Sequence, residues 1–201
     1  MEDRSSVRLN ATEGLPWLGH TAYWGCMRTY LTYGFAIALG NALVTLIFYL
    51  LGFHSDPDKI QMAGFIAIPA MLAVGIIATT LGMRAKRNAA PSTEAFNYGQ
   101  AFATGFMIAL FAGLFCTIFQ YAYVTFINPD YTHIILEAQR ARLEAKGLGS
   151  DQIERMQSIM RMAMTPALLA ISGMIGALFW GSIISLIAAA FVKRPASKPA
   201  P

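Results

Sequence analysis

The chain has 201 residues, of which 56% are hydrophobic and only 13% are charged, and its formal net charge is +4. Soluble domains carry about 25% charged residues, so this composition excludes an ordinary soluble domain. The basic residues lie at the ends of long apolar runs, where they act as membrane-topology signals and do not indicate nucleic-acid binding. The sequence therefore predicts an all-α integral membrane protein whose surroundings are the lipid bilayer, with no nucleic-acid partner.

The N-terminal segment differs from the rest of the chain. Its first residues, "MEDRSS", have neither the apolar region nor the small-residue cleavage site of a signal peptide. Met27 and a basic residue directly precede the first apolar run, as they would at a natural start. We interpret residues 1–27 as a flexible extension and residues 28–192 as the membrane domain.

Four apolar runs are each long enough to cross a bilayer as a helix, which requires about 20 residues. They predict spans at residues 31–53, 60–83, 98–127 and 166–192. The third run exceeds the required length, so we expect its helix to tilt or to project from the membrane. Together the four runs predict an integral membrane four-helix bundle.

The loop at residues 128–165 is the largest polar segment and joins the third span to the fourth. "GLG" at 147–149 predicts a helix break, Ser150 is a suitable N-cap, and Ile153, Met156 and Met160 follow at helical spacing. We predict a short extracytoplasmic helical hairpin with amphipathic arms. Its apolar face packs on the bundle or on lipid headgroups in the simpler interpretation, and at residues 131–164 it binds a protein partner in the alternative.

Lys and Arg residues distinguish the two sides of the membrane. The short segments on the side of the termini are the more basic, which predicts that both termini are cytoplasmic in a multi-pass protein of the cell inner membrane. The Pro-rich segment at 193–201 then becomes a disordered cytoplasmic tail.

The interiors of the predicted spans contain uncharged polar residues and no Asp, Glu, Lys or Arg. Such residues usually form hydrogen bonds between helices. Asn41 and Gln120 are the strongest candidates for another role, because each amide carries both donors and acceptors. The lack of an ionisable residue argues against a proton-coupled pump.

Small residues recur at four-residue spacing in the third and fourth spans, which allows the backbones of neighbouring helices to approach closely. Packing within one chain is the simpler interpretation and a homo-oligomer is the alternative. The pattern is densest in the fourth span, which we expect to be the most tightly packed helix. The predicted packing positions are Gly113, Gly176, Gly181 and Ser185.

The loop ends supply acids and histidines that are weak candidates for metal ligands: His54, Asp56, Asp130 and His133. We favour ordinary roles for them and expect no metal or cofactor, because no pair has a spacing that fixes two ligands on one helix. In "FINPDY", Pro129 ends the third helix, Asp130 caps the next one and Tyr131 lies at the membrane interface. The sequence carries no catalytic motif, and we expect no enzymatic activity.

Several segments together resemble a known family. They are a basic start followed by "YGFAIAL", then "FNYGQAFATGFMIAL" entering the third span, "FINPDY" at its exit, and a charged helical loop before a span rich in small residues. In that order, over about residues 28–194, they resemble the bacterial membrane family known as domain of unknown function (DUF) 4199. The resemblance implies a small four-span inner-membrane protein with no established activity.

Two functions remain open from the sequence. The leading hypothesis is a non-enzymatic interaction or accessory component of the bacterial envelope that binds a partner through the outer hairpin. The alternative is an oligomeric conduit for a small solute or ion, lined by Asn41, Gln120 and the threonines of the spans.

Overall fold

A computed structural model describes residues 16–91 and 93–196, and it describes side chains from Met27 onward. The described chain is helical: α1 (Pro16–Leu50), α2 (Pro57–Ala89), α3 (Tyr98–Ala122), a π-helical turn (Tyr123–Ile127), α4 (Tyr131–Ala145), α5 (Ser150–Ala163) and α6 (Pro166–Val192). Four helical segments are long and apolar enough to cross a membrane: Met27–Leu50, Pro57–Ala89, Tyr98–Ile127 and Pro166–Val192. These features confirm the all-α prediction and the four candidate spans.

The observed helix bounds differ from the predicted spans mainly at the first helix. α1 ends at Leu50 because Gly52, with a φ of 76°, turns the chain sharply just beyond it. The same helix begins at Pro16, inside the segment predicted to be a flexible extension. The remainder of that segment, residues 1–15, lies outside the described residues.

α3 is the central helix, because it packs against α1, α2 and α6, most extensively against α6. Each neighbour presents a glycine to one short stretch of α3: Gly34 to Phe111, Gly82 to Ile108 and Gly181 to Ala109. These glycines let three backbones approach α3 at the same level. The expectation that the fourth span would be the most tightly packed is therefore corrected in favour of the third.

The segment after α6 is anchored at its start. The backbone N–H and C=O groups of Arg194 pair with those of Phe96, at 2.9 Å in both directions. The Arg194 guanidinium also donates to the carbonyl oxygens of Ala90 and Pro91, at 3.2 and 2.9 Å. The predicted disordered tail is thus ordered at its first residues, because the α2–α3 loop supplies partners for them. Residues 197–201 lie outside the described part of the chain.

α4 and α5 connect the long helices α3 and α6. α4 contacts α2, and Gly147, with a φ of 74°, ends it as the "GLG" break predicts. α5 packs on α4 by burying Ile153 and Gln157, and the Gln157 amide donates to the Leu136 carbonyl oxygen at 3.2 Å.

Two predicted helix caps are corrected. Gly149 occupies the N-cap position of α5, and Ser150 is already the first helical residue. Asp130 occupies the N-cap position of α4 but makes no side-chain capping bond. Its backbone is helical, with a φ of −80° and a ψ of −5°, whereas a capping side chain needs an extended backbone to reach the helix N–H groups.

Replacing Gly181 with Ala should destabilise the protein, because the new methyl group would overlap Ala109 on α3. Overpacking of this kind lowers the free energy of unfolding by about 1–3 kcal/mol. Gly176→Ala is the matched control on the same helix, since a Cβ there would meet no atom within 4 Å. Thermal unfolding in detergent should give a lower midpoint for Gly181→Ala only; equal midpoints would contradict the close α3–α6 contact.

Candidate functional site

A cavity of about 600 Å³ lies among the four long helices. Its volume falls within the range of small-molecule sites, about 300–1,000 Å³. Most of its wall is apolar, with residues such as Ile37, Leu72 and Phe119, and no charged side chain of the described chain lines it. The polar side chains on the wall are Asn41, Thr45, Thr79, Cys116, Gln120 and Ser172. The two amides singled out in the sequence therefore face the same space.

Asn41 carries a buried polar atom on this wall that has no hydrogen-bond partner in the described part of the chain. Its Nδ2 lies 3.9 Å from the Cys116 Sγ, which is a weak acceptor. Its Oδ1 is buried and has no hydrogen-bond partner among the described residues. Thr45, one turn along, donates its hydroxyl to the Asn41 backbone carbonyl at 3.0 Å and therefore does not pair with the Oδ1.

The cavity is closed toward the chain termini. One turn beyond the lining residues Thr79, Ala109 and Gly181, the next residues on their helices are Met83, Gly105 and Ser185. Met83 and Ser185 are both 0% exposed, and a Cβ added to Gly105 would collide with both of them. Three helices therefore meet there without space for a ligand.

At the opposite end, a group of buried aromatic and polar side chains lies above the cavity. Phe119 lines the cavity and stacks on Tyr123, with 6.0 Å between the ring centroids. Tyr123 is completely buried, and its hydroxyl lies 2.6 Å from the Nδ1 of His54, which follows α1. The Asn128 amide donates to the His54 carbonyl at 3.1 Å and to the Tyr123 hydroxyl at 3.3 Å. This His54–Tyr123–Asn128 cluster ties the α1–α2 turn to the end of α3.

The backbone of the π-helical turn contributes to this geometry. The Asn128 N–H bonds to the Tyr123 carbonyl five residues earlier, at 2.8 Å, which adds one residue to the turn before Pro129. Tyr131, the first residue of α4, then packs edge-on against the rings of His54 and Tyr123, with centroids 5.3 and 5.5 Å apart. Tyr131 was predicted only to lie at the membrane interface, and the structure shows that its ring also packs against this cluster.

Burial lowers the pKa of the His54 imidazole below the ordinary value, which favours the neutral form. A neutral imidazole accepts at one ring nitrogen, and the Tyr123 hydroxyl is the adjacent donor. We therefore assign the acceptor to Nδ1 and the proton to Nε2. Burial likewise raises the pKa of the Tyr131 hydroxyl.

The four weak metal candidates are not brought together. Asp56 accepts from the Asp58 N–H at 2.9 Å and pairs with Lys59 at 3.1 Å, so it serves the start of α2. His133 is exposed and lies 3.6 Å from Glu137 on the same helix. No three His, Cys, Asp or Glu side chains of the described residues are grouped so that they could hold a metal ion.

The four predicted packing positions separate into two groups. Gly181 and Ser185 lie where α6 meets α3 and α2, and Gly113 lies where a Cβ would be in ordinary contact with Met174, at 3.4 Å. Gly176 is corrected: a Cβ there would meet no atom within 4 Å, and the residue lines the cavity. Met174 and Ala177, on either side of Gly176 in the chain, face Gly113 on α3, so α3 and α6 are close here and Gly176 lies on the side of α6 that borders the cavity.

Parts of the cavity wall on α2 and α6 are exposed at the molecular surface. Ile68 of α2 and Trp180 of α6 both line it, yet they are 59% and 51% exposed on the surface of the long helices. Both lie near the middle of candidate membrane spans.

Sequence reasoning missed Tyr123 and Asn128, which form the most specific polar contacts above the cavity. The motif "FINPDY" contains Asn128, but its position before Pro129 suggested only the end of a helix. Tyr123 lies in an apolar run, and nothing in its spacing indicates a contact with His54, 69 residues away.

The stability of the protein should fall when the pH drops from about 8 to about 5, because the unfolded state protonates His54 near its ordinary pKa of about 6.5. The folded state resists protonation because its His54 pKa is lowered, so this stability is present above the unfolded pKa and is lost below it. Asp56 stays ionised in this window, since Lys59 lowers its pKa further.

The measurement is thermal unfolding across this pH range for wild type, His54→Gln and His133→Gln. His54→Gln retains a hydrogen-bonding group without titrating, so the loss of stability at low pH should become smaller. His133→Gln should behave like wild type, because His133 is exposed. An undiminished pH dependence in His54→Gln would contradict a buried, neutral His54.

The chain was compared with known families, proteins and structures. The profile of the family described as "Protein of unknown function (DUF4199)" matches residues 32–194, which contain the four candidate spans almost completely. No curated protein and no solved structure matches the chain. The family match confirms the resemblance seen in the sequence: the chain belongs to the DUF4199 family of proteins of unknown function.

Proposed function

We propose that this chain is a non-enzymatic multi-pass membrane protein, built as a four-helix bundle, that binds a small and mostly apolar molecule taken from the bilayer. The observation that supports the proposal is the cavity of about 600 Å³, which is lined by all four long helices and by the exposed residues Ile68 and Trp180 on candidate membrane spans. A largely apolar wall with a few polar groups is typical of small-molecule sites.

The same geometry supports binding over conduction. A conduit for a solute or ion needs openings at both membrane surfaces. The cavity ends instead at a fully buried layer on one side, formed by Met83 and Ser185. Its single-chain wall also includes Asn41 and Gln120, so these amides do not require an oligomer to surround a common space.

A photoactivatable alkyl diazirine in phosphatidylcholine nanodiscs should label Cys116, which is partly buried on the cavity wall. Gly176→Phe should abolish this labelling by filling the cavity, since open space surrounds Gly176. Gly64→Phe is the matched control, because Gly64 also has open space but does not line this cavity. Peptide mass spectrometry locates the adducts, and lipid-facing residues such as Phe65 report equal probe exposure.

Two results would contradict binding in the cavity. One is the absence of any Cys116 adduct in wild type although Phe65 is labelled. The other is equal labelling of Cys116 in wild type and Gly176→Phe. Retained flux of a solute across liposomes that is lost in Gly176→Phe would instead support the conduit.

A second candidate function rests on the surface of α5. One face of this helix packs on α4, while Met156, Ile159 and Met162 are 42%, 67% and 71% exposed on an adjacent stripe. A helix whose apolar surface is only partly covered by its own chain is typical of a partner-binding helix. We propose that α4 and α5 form a hairpin through which this protein, as an accessory component of the envelope, binds a protein partner or a second copy.

A photocrosslinking amino acid at Ile159 should give a protein adduct in intact membranes, because this side chain lies on the exposed apolar stripe. The same amino acid at Glu154, on the polar face of α5, is the control and should give none. Electrophoresis and mass spectrometry identify the adduct. If the Ile159 position yields no adduct, or both positions yield the same one, the partner-binding role of α5 fails.

A further inference from the structure

One buried side-chain oxygen among the described lining residues has no hydrogen-bond partner, and it indicates the chemistry of a ligand. The Asn41 Oδ1 is buried without a partner, and the adjacent Nδ2 reaches only the Cys116 Sγ at 3.9 Å. Buried side-chain oxygens are nearly always satisfied, because an unpaired acceptor costs the desolvation that it suffers on folding. In a hydrocarbon environment no bulk water is available to compensate. A ligand that supplies a donor at this point would satisfy it.

The charge of the ligand follows from the rest of the wall. The described lining residues include no Asp, Glu, Lys, Arg or His. A carboxylate, phosphate or ammonium group in this space would therefore be desolvated without a counter-charge, which is strongly unfavourable. The group that pairs with Asn41 has to be neutral.

The position of the opening constrains the ligand further, in addition to the required hydrogen-bond donor and the neutral charge. The entrance between Ile68 and Trp180 is bordered by apolar side chains at mid-span, so an entering molecule passes through hydrocarbon. Beyond it, Leu72 and Phe119 offer apolar contact along the cavity. The polar group of the ligand should thus be small and attached to a hydrocarbon body.

We propose that the cavity binds a neutral lipid alcohol, whose hydroxyl donates a hydrogen bond to the Asn41 Oδ1 while its hydrocarbon chain lies along the cavity wall. The assignment rests on the proposed ligand-binding function and names the ligand class for the same site. A hydroxyl both donates and accepts, so it pairs with the amide in either orientation of Asn41.

The test is competition against alkyl-diazirine labelling of Cys116 in phosphatidylcholine nanodiscs. The competitors are dodecanol, dodecane and dodecanoate at pH 8, each expressed as its mole fraction in the bilayer. Dodecanol should compete at about a fivefold lower mole fraction than dodecane, as one added neutral hydrogen bond implies. Dodecanoate should compete more weakly than dodecanol because its charge cannot be compensated.

Asn41→Leu should remove the advantage of dodecanol over dodecane, while leaving the labelling of Cys116 itself intact. Thr45→Val is the matched control: Thr45 lines the cavity, but its hydroxyl is already bonded to the Asn41 carbonyl oxygen. It should keep the advantage. The ligand-free Asn41→Leu protein should unfold at the same or a higher temperature than wild type, because the unpaired acceptor is gone.

The outcomes separate the two proposals. If Cys116 is not labelled at all, the ligand-binding function fails. If Cys116 is labelled but dodecanol and dodecane compete equally, the lipid-alcohol assignment is overturned and the binding function stands. Equal competition by dodecanoate, or an undiminished dodecanol advantage in Asn41→Leu, overturns the assignment in the same way. A lower unfolding temperature for Asn41→Leu than for wild type would show that the Asn41 side chain makes stabilising hydrogen bonds, and it would overturn the claim that its Oδ1 is unpaired.

Discussion

The close packing of α3 against three neighbours is the contact on which the rest of the structure depends. Lipid tails are as apolar as the side chains of the spans, so helices in a membrane associate through close van der Waals contact. Gly34, Gly82 and Gly181 each lack the side chain that would hold their helix away from α3. The helices are therefore brought close together at the level of Ile108 to Phe111. The position of this contact also decides where space remains.

The same helices enclose the cavity, whose wall includes Ala109 and Gly181 from this contact. Gly173 and Gly176 of α6 have no atom within 4 Å of an added Cβ, in contrast to Gly181 one turn further along. Glycines of the same helix thus have different roles: Gly181 allows close contact with α3, whereas Gly173 and Gly176 leave open space. The described residues of the wall are uncharged, and a charge there would be unfavourable because the desolvation free energy would exceed the stabilisation from the largely apolar surroundings.

The cluster above the cavity couples the loops to the spans. His54 comes from the turn after α1, Tyr123 and Asn128 from the end of α3, and Tyr131 from the start of α4. Burial lowers the pKa of His54, and Tyr123 stacks on Phe119 of the cavity wall. The π-helical turn makes the arrangement possible by moving Asn128 to a position where its amide reaches both His54 and Tyr123. Extra residues of this kind in α-helices often occur at functional sites.

The sequence by itself determined the helical class, the four apolar spans and the family, because spans need long uncharged runs and the family's motifs are local. It also identified Asn41 and Gln120, since polar side chains in apolar runs are costly enough to be informative. The structure alone decided that these two amides share a cavity, that Gly176 faces open space while Gly181 is in contact, and that His54 pairs with Tyr123. Periodicity gives the spacing of residues along a helix, whereas the rotation and separation of neighbouring helices arise from contacts between residues far apart in the chain.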